Sequence, residues 1–396
     1  MPIINRIADF HDEMTAWRRH LHAHPETAFE ERDTAAFVAA RLESFGIEVE
    51  RGIAGTGVVG TLRGAQPGPR AIMLRADMDA LHIAEQNGFA HVSQAPGRMH
   101  ACGHDGHTAM LLGAAKHLAE TRNFAGTIHF VFQPAEENEG GARVMIEQGV
   151  FEKYPVDAAF GMHNWPELPA GHFAIRPGPM MAAFDIFEIT INGRGGHAAM
   201  PHLTVDPIVA AAQLVNAVQT IASRTTHPLD SAVVSVTQIH GGDTWNVIPE
   251  SVVVRGTTRA FSPAVRDQIE TALRRIAEAV GAGCGAAIEW RYERRYPPTL
   301  NAPAETEAAA AAAAAIVGAG NVERAPVPSM GAEDFAFFLE RRPGAYIWIG
   351  NGSAAAGGML HSPHYDFNDA ILPIGASYWV RLAETVLAKN AAATPG

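Results

Sequence analysis

Residues 71–77, AIMLRAD, and residues 101–120, ACGHDGHTAMLLGAAKHLAE, decide the fold between them. The first is a short apolar run closing on an acidic residue, which reads as a buried strand running out into a loop. The second opens with Cys102, His104, Asp105 and His107 in close succession and continues with apolar residues at helical spacing. Asp105 or the loop beside it is the expected helix start. Strand, polar loop and helix recur at GTIHFVFQP (126–134) followed by AEENEGGARVMIEQG (135–149), and DAAFGMH (157–163) is a further short strand.

Upstream, TAWRRHLHAHPE (15–26) and ERDTAAFVAARLESFG (31–46) carry helical patterns, with Gly46 as a stop, and TGVVGTLRG (56–64) is a strand. Glycine-rich GIAGTGVVG (52–60) lacks the strand–helix setting of a phosphate-binding loop and reads as a turn into that strand. Downstream, AETEAAAAAAAAIVG (304–318) is a strong helix former, followed by GAEDFAFFLE (331–340), the strand AYIWIG (345–350) and a helix in DAILPIGASYWVRLAETVLA (369–388). This alternation predicts an α/β fold with helices flanking a mostly parallel sheet. Ligands of such sheets gather beyond the carboxyl ends of the strands, so the residues after AIMLR, IHFVFQ and AAFGM are placed to converge.

The rhythm changes from Phe184. Strands at FDIFEITING (184–193), SAVVSVTQIHG (231–241), ESVVVRGTTRAF (250–261) and GAAIEWRYERRY (285–296) interleave with helices at 206–223 and 262–281. Four strands and two helices in that order predict an inserted α+β unit of the split βαβ, ferredoxin-like kind. The expected division is a catalytic domain built from residues 1–183 and 298–396, with residues 184–297 inserted.

A chain of 396 residues with 47% hydrophobic and 18% charged residues is a folded globular protein rather than a disordered one. Its formal charge of −12, with no basic run interleaved with aromatics, excludes a nucleic-acid backbone as partner. No segment reaches membrane-spanning length without polar interruption, so no membrane association and a cytoplasmic location are expected. Two cysteines, Cys102 and Cys284, exclude a disulfide scaffold. Cys284 reads as an inert buried residue, and His20, His22 and His24 as local structure near the surface.

HACGHDGH (100–107) brings a thiol and imidazoles into one loop, which suits a metal. Cys102 and His104 can meet one ion only from an extended or turning backbone, because a helix interior would point them apart. The rival reading makes Cys102 a nucleophile with His104 or His107 as base. Glu136, Glu137, His163 and His361, each near a strand end or in a glycine-containing loop, favour the metal. Adjacent Glu136 and Glu137 can divide labour between binding a metal and accepting a proton. Asp77 and Asp79 can ligate directly or orient a histidine ligand from behind.

RADMDAL (75–81), HACGHDGH, FQPAEENEGG (132–141), GMHNWP (161–166), GRGGHAAMPH (193–202), NVIPE (246–250) and GMLHSPHYDF (358–367) occur in an order that resembles the M20 metallopeptidase superfamily. The likeness is to its amidohydrolase branch of hippurate hydrolases, N-acyl amino acid amidohydrolases and auxin conjugate hydrolases. It covers nearly the whole chain. The resemblance implies two divalent metal ions, Mn or Zn with Co or Ni as in vitro substitutes, bridged by Cys102. His104 and His163 would hold one ion, Glu137 and His361 the other, with Glu136 as general base. The commoner peptidase branch has a bridging Asp and a His where Asp77 stands, so Asp77 is not expected to ligate and Asp79 is expected to orient a ligand. The resemblance also implies that His197 donates to the oxyanion, in many members from the other subunit, and that Asn246 and Arg259 bind a substrate carboxylate. A homodimer or higher homo-oligomer formed through the inserted dimerisation or lid domain follows from it too.

The expected activity is hydrolysis of the linear amide of a small N-acyl amino acid, hippurate-like or N-acetylated. A metal-bound hydroxide would attack the carbonyl while Glu136 acts as base and then as acid toward the amine. A dipeptidase and an N-acetyl-diamino acid deacetylase share this chemistry, and an inactive metal-containing binding protein would keep the metal without turnover.

Overall fold

The computed structural model describes residues 3–354 and 358–388. After a single helical turn at Asn5–Ala8, the helices α1 (His11–Ala23) and α2 (Arg32–Ser44) precede the strands β1 (Glu48–Ile53), β2 (Gly57–Arg63) and β3 (Gln66–Asp77). Helix α2 gives way to a left-handed Gly46, φ +74°, as the sequence pattern requires. Next come α3 (His104–Thr121), β4 (Ala125–Gln133), α4 (Gly141–Glu147), β5 (Ala158–Pro166) and the two-residue β6 (Phe173–Ala174).

The second segment supplies β7 (Ala183–Asn192), β8 (Gly196–His197), α5 (Pro207–Thr220), β9 (Ala232–His240), β10 (Val247–Ile248), β11 (Ser251–Ala260), α6 (Pro263–Cys284) and β12 (Ala287–Tyr296). The chain closes with α7 (Pro303–Val317), β13 (Val322–Glu323), β14 (Gly344–Gly352) and α8 (Leu372–Val386). It divides into two compact units. One comprises Met1–Met180, Leu300–Val327 and Asp334–Gly396, and the other Met181–Thr299 with Pro328–Glu333.

In the first unit, eight strands form a mixed sheet in the order β1-β2-β4-β3-β5-β14-β6-β13. The central strands β4, β3, β5 and β14 are mutually parallel, and antiparallel pairing is confined to the β1–β2, β2–β4 and β14–β6 contacts. The parallel strands are buried along most of their length, which is why they read as continuous apolar runs. Helix α3 packs against α1 and α8, and α8 against α7, over a core that includes Met110, Leu111, Phe130, Phe160 and Trp379. Among the described residues no helix is long and apolar enough to cross a membrane.

The second unit is a smaller, separate domain with its own core. Its main sheet has four antiparallel strands in the order β9-β11-β7-β12, and β8 and β10 form a separate antiparallel pair. Alternation along β7 puts Phe187, Ile189 and Ile191 in a core with Leu214 and Val218 of α5 and Ile269 and Leu273 of α6. Both helices start at capping side chains followed by proline: Asp206 accepts from the Ile208 and Val209 amides, and Ser262 from that of Val265.

Candidate metal centre

Helix α3 begins at His104, so Cys102 lies in the loop just before it, and Gly103 between them is left-handed at φ +92°. A Cβ on Gly103 would fall 2.2 Å from Asn164 Nδ2 and 2.5 Å from the Tyr365 hydroxyl, so only glycine lets the loop approach this closely. The turn brings the Cys102 sulfur and the His104 imidazole to one place, as their tight spacing requires.

Asp105 does not cap the helix. The α3 N-terminus has no side-chain cap, and Asp105 instead meets His22 Nδ1 at 2.8 Å and lies 3.7 Å from Arg18. His22 is therefore fully buried, contrary to the surface role expected of it, whereas His20 and His24 pack ring to ring as local structure. Burial disfavours charge on His22, but Asp105 and Glu85 outweigh it and raise its pKa to about 9. Cys284 is half-exposed rather than buried.

Three histidines surround the loop, and hydrogen bonds fix which ring nitrogen each presents. His104 Nδ1–H donates to the Asp79 carbonyl at 2.8 Å, and buried Nε2 has no hydrogen-bond partner. His163 Nδ1–H donates to the Asn164 carbonyl at 2.6 Å, leaving Nε2 3.3 Å from the Cys102 sulfur. His107 is committed at both nitrogens, Nδ1–H to Asp77 Oδ1 at 2.6 Å and Nε2 accepting from the Asn164 amide at 2.9 Å. It is a support, neither a free ligand nor a base for Cys102. Asn164 is the hub, since its side chain also donates to the Cys102 carbonyl at 2.6 Å and accepts from Tyr365 at 2.8 Å.

Glu136 and Glu137 follow β4 on a turn whose backbone is held by buried carboxylates. The Glu136 amide donates to Asp79 Oδ1 at 3.0 Å and the Glu137 amide to Asp79 Oδ2 at 2.9 Å. Asp79 thus stands behind the carboxylates and, through its carbonyl, behind His104. Asp77 is tied to Arg75 at 2.6 Å as well as to His107, while Arg75 also reaches Gln133 at 2.8 Å and Asp334 at 3.0 Å. The Asp334 amide in turn lies 3.3 Å from Glu136 Oε1, which it meets as donor.

His361 comes from the loop before α8. Its backbone is left-handed at φ +64°, and its amide donates to the Ala101 carbonyl at 2.7 Å, which docks that loop onto the Cys102 loop. Its Nε2 is 3.2 Å from Glu137 Oε1.

Two groups of donor atoms result, each within 4.8 Å of one another: Cys102, His104 and His163, and Cys102, Glu137 and His361. Cys102 belongs to both. Glu136 lies in a further group with His104 and Glu137. The residues fit a pair of divalent ions on chemical grounds. The ring nitrogen His104 Nε2 is buried without a hydrogen-bond partner, which is the state of a ligand atom awaiting a cation. Burial, then Glu137, Glu136 and Asp77, pushes the Cys102 thiol well up, so it would be an inert nucleophile at neutral pH, and a thiolate here needs metal charge beside it. Although burial opposes it, Asp77, Asp79 and Glu137 raise His104 to about 10, a direct sign that the pocket favours positive charge. The soft sulfur suits Zn, and the carboxylate and imidazole donors also suit Mn.

Residues 73–385 match the model of peptidase family M20/M25/M40. The chain belongs to this family. An N-acetylcysteine deacetylase of Bacillus subtilis is 40% identical over 384 residues, spanning 96% of this chain and 98% of that one. A hippurate hydrolase of Campylobacter jejuni is 39% identical, spanning 97% and 99%. Among solved structures, a Bacillus subtilis dinuclear metal-binding peptidase of the M20 family superposes with a TM-score of 0.84 at 37% identity, covering 96% of this chain and 99% of that one. This M20 chain is a metal-dependent amidohydrolase with a dinuclear centre. A buried carboxylate beside the ligand set, Glu136, sets it apart from a closed structural metal site.

The remaining residues expected at the site lie in the second unit. His197 on β8 is exposed and pairs with Val247, and the Ala198 amide donates to the Asn246 carbonyl at 3.0 Å, so His197 and Asn246 are neighbours across the β8–β10 pair. His197 Nδ1 accepts from the Ala199 amide at 3.1 Å, which leaves the proton on Nε2 as an outward donor. Arg259 sits near the opposite end of β11, about 26 Å along the strand from Ser251. Its guanidinium lies over the Phe184 ring, 4.2 Å from the centroid. Asn246 and Arg259 are therefore not brought together within this domain.

The supports Asn164, Arg75, Asp334 and Tyr365 were not singled out from the sequence. Arg75, Asn164 and Tyr365 lie inside quoted motifs, and a polar residue inside a buried strand, such as Arg75 in AIMLRAD, is the signal that points to such supports.

Proposed function

We propose that this protein hydrolyses the amide bond of small N-acyl amino acids, with Glu136 as general base and acid. The observation that carries this is a pair of donor triads sharing Cys102, with Glu136 buried within reach of the same donors. The names of the relatives, a deacetylase of N-acetylcysteine and a hippurate hydrolase, support this substrate class. In this reading Cys102, His104 and His163 would hold one ion and Cys102, Glu137 and His361 the other, with Asp79 supporting His104 and the Glu137 amide from behind.

When bound, the ion pair supplies Lewis acidity that makes water acidic and the amide carbonyl electrophilic. Glu136 takes a proton from the attacking water as its oxygen bonds the carbonyl carbon. It then passes that proton to the nitrogen as the C–N bond breaks, so that an amine leaves rather than an amide anion. His197 Nε2–H donates to the developing oxyanion from the partner subunit, and Asn246 and Arg259 take the substrate carboxylate. Asn246 lies beside His197 while Arg259 lies far along β11, so a carboxylate taken by both Asn246 and Arg259 would be held by residues of two subunits.

Residues 184–297 are proposed as a split βαβ, ferredoxin-like dimerisation and lid domain, for which the strand order β9-β11-β7-β12 is the support. Strand β9 is a sheet edge, and Met200, Leu203, Val209 and Trp245 are exposed apolar residues of the same domain, a surface suited to a second copy. A cytoplasmic location would keep the Cys102 thiol reduced.

The test is hydrolysis of N-benzoyl, N-acetyl and indole-acetyl amino acids and dipeptides by metal-stripped protein resupplied with Mn or Zn. Metal-restored turnover is expected on the N-acyl amino acids. A clear preference for dipeptides would establish the dipeptidase reading instead.

A further inference from the structure

Glu31 occupies the N-cap position of α2 yet does not cap it. The helix amides of Asp33 and Thr34 are taken by Glu26, at 3.2 and 2.8 Å, which leaves the Glu31 carboxylate free to turn inward. It is fully buried. Its Oε2 accepts from the Thr56 hydroxyl at 2.6 Å, and its Oε1 accepts from the Ala135 amide at 2.9 Å. Thr56 comes from the glycine-rich turn before β2, so that turn has a use beyond reversing the chain. Burial, then the charge of Asp79, pushes the Glu31 carboxyl up to about 7, an arrangement with no return to helix stability, since α2 is capped without it.

Ala135 is the residue before Glu136. It is buried and left-handed at φ +54°, a conformation that a residue with a Cβ adopts only when held. The other side of the turn is equally constrained, because a Cβ on Gly141 would fall 1.8 Å from the Pro134 carbonyl oxygen. The three successive amides of Ala135, Glu136 and Glu137 are thus held by two buried carboxylates, the first by Glu31 and the next two by Asp79.

We propose that Glu31 is a positioning residue for hydrolysis: by holding the Ala135 amide it keeps the turn left-handed and so aims Glu136 at the reacting water. This rests on the reading of Glu136 as the base. Glu31 touches neither substrate nor metal and acts only through Ala135.

The experiment compares Glu31→Ala, Glu31→Gln and Glu31→Ala/Ala135→Gly with Glu136→Gln in the metal-saturated full-length enzyme, reading kcat, KM, bound metal and thermal melting. Glu31→Ala is expected to lower kcat tenfold or more, with KM within threefold of the parent. Glu31→Gln keeps an acceptor for the Ala135 amide and is expected within threefold of the parent kcat. Glycine takes the left-handed conformation without side-chain hindrance, so Ala135→Gly should recover several-fold of the kcat lost in Glu31→Ala. A merely structural role would lower the melting temperature without that recovery. A folded Glu31→Ala or Glu31→Gln enzyme tells the outcomes apart even if the other does not fold. If Glu136→Gln is inactive while a folded Glu31→Ala keeps the parent kcat, or Glu31→Gln is as slow as Glu31→Ala, the positioning role is overturned and the base stands. If Glu136→Gln itself turns over normally, the base assignment falls and the positioning role falls with it.

Discussion

Replacing Asp79 with alanine removes the acceptor of two buried amides at once. Asp79 is itself buried and holds the Glu136 and Glu137 amides at 3.0 and 2.9 Å. Each buried donor left without a partner costs about 1–3 kcal/mol, so the substitution should destabilise the fold by roughly 2–6 kcal/mol. The effect on metal binding is asymmetric. His104 keeps its 2.8 Å bond to the Asp79 backbone carbonyl and loses only a carboxylate oxygen 3.4 Å away, whereas Glu137 is carried on the turn that is released. Loss of such a support lowers metal affinity by about 10–100-fold. That loss should fall on the ion held by Glu137 and His361 and spare the one held by His104 and His163. Asp79→Asn keeps one carboxamide oxygen and sets an NH2 against the other amide, so about half the stability loss is expected. Urea unfolding gives the first quantity, and chelator competition under conditions that count ions per chain gives the second. Wild-type affinity for both ions in a folded Asp79→Ala protein, with turnover within twofold, would refute the reasoning.

Other substitutions separate the parts of the centre. Because Cys102 belongs to both donor triads and His361 to one, Cys102→Ala should reduce bound metal at both positions and His361→Ala at one, as counted by elemental analysis. Gly103→Ala combines a left-handed φ of +92° with a Cβ 2.2 Å from Asn164, so a loss of about 2–4 kcal/mol is expected in denaturant unfolding. His22, raised to about 9 in the fold from an ordinary 6.5, contributes stability that is fully present below pH 6.5 and lost as pH rises through about 9. On the order of 3 kcal/mol is at stake. Unfolding measured from pH 6 to 10 should show that decline, and His22→Gln should flatten it.

Much of this site is legible in the sequence because metal donors at the ends of parallel strands lie beside local signals. Apolar AIMLRAD, IHFVFQ and AAFGM mark the strands; Glu136, Glu137 and His163 follow the last two within a few residues, and Cys102 and His104 stand out as a dense run at a helix start. What was not legible depends on contacts distant in the chain. Glu31 looks like part of a solvated EER run, and only the fold sets it against Ala135, 104 residues away. His22 lies on a helix with several polar neighbours, and its burial comes from Asp105 of α3 and Glu85. The edge strand β1, EVERGI, was missed because its mixed polar pattern reflects partial exposure rather than a buried run. His197 sits on the two-residue strand β8, and its proposed role is one that no periodicity in one sequence encodes.

Division of metal ligation and proton transfer between different residues of one cluster is the core of the proposed mechanism. It is tested most directly by counting the metal in Glu136→Gln and measuring its turnover of an N-acyl amino acid in the same preparation. Two ions per chain with turnover reduced by about 10²–10⁴-fold is the predicted result, the range that general acid–base catalysis contributes. Turnover near wild type with both ions bound would contradict the account, as would loss of the ions together with activity.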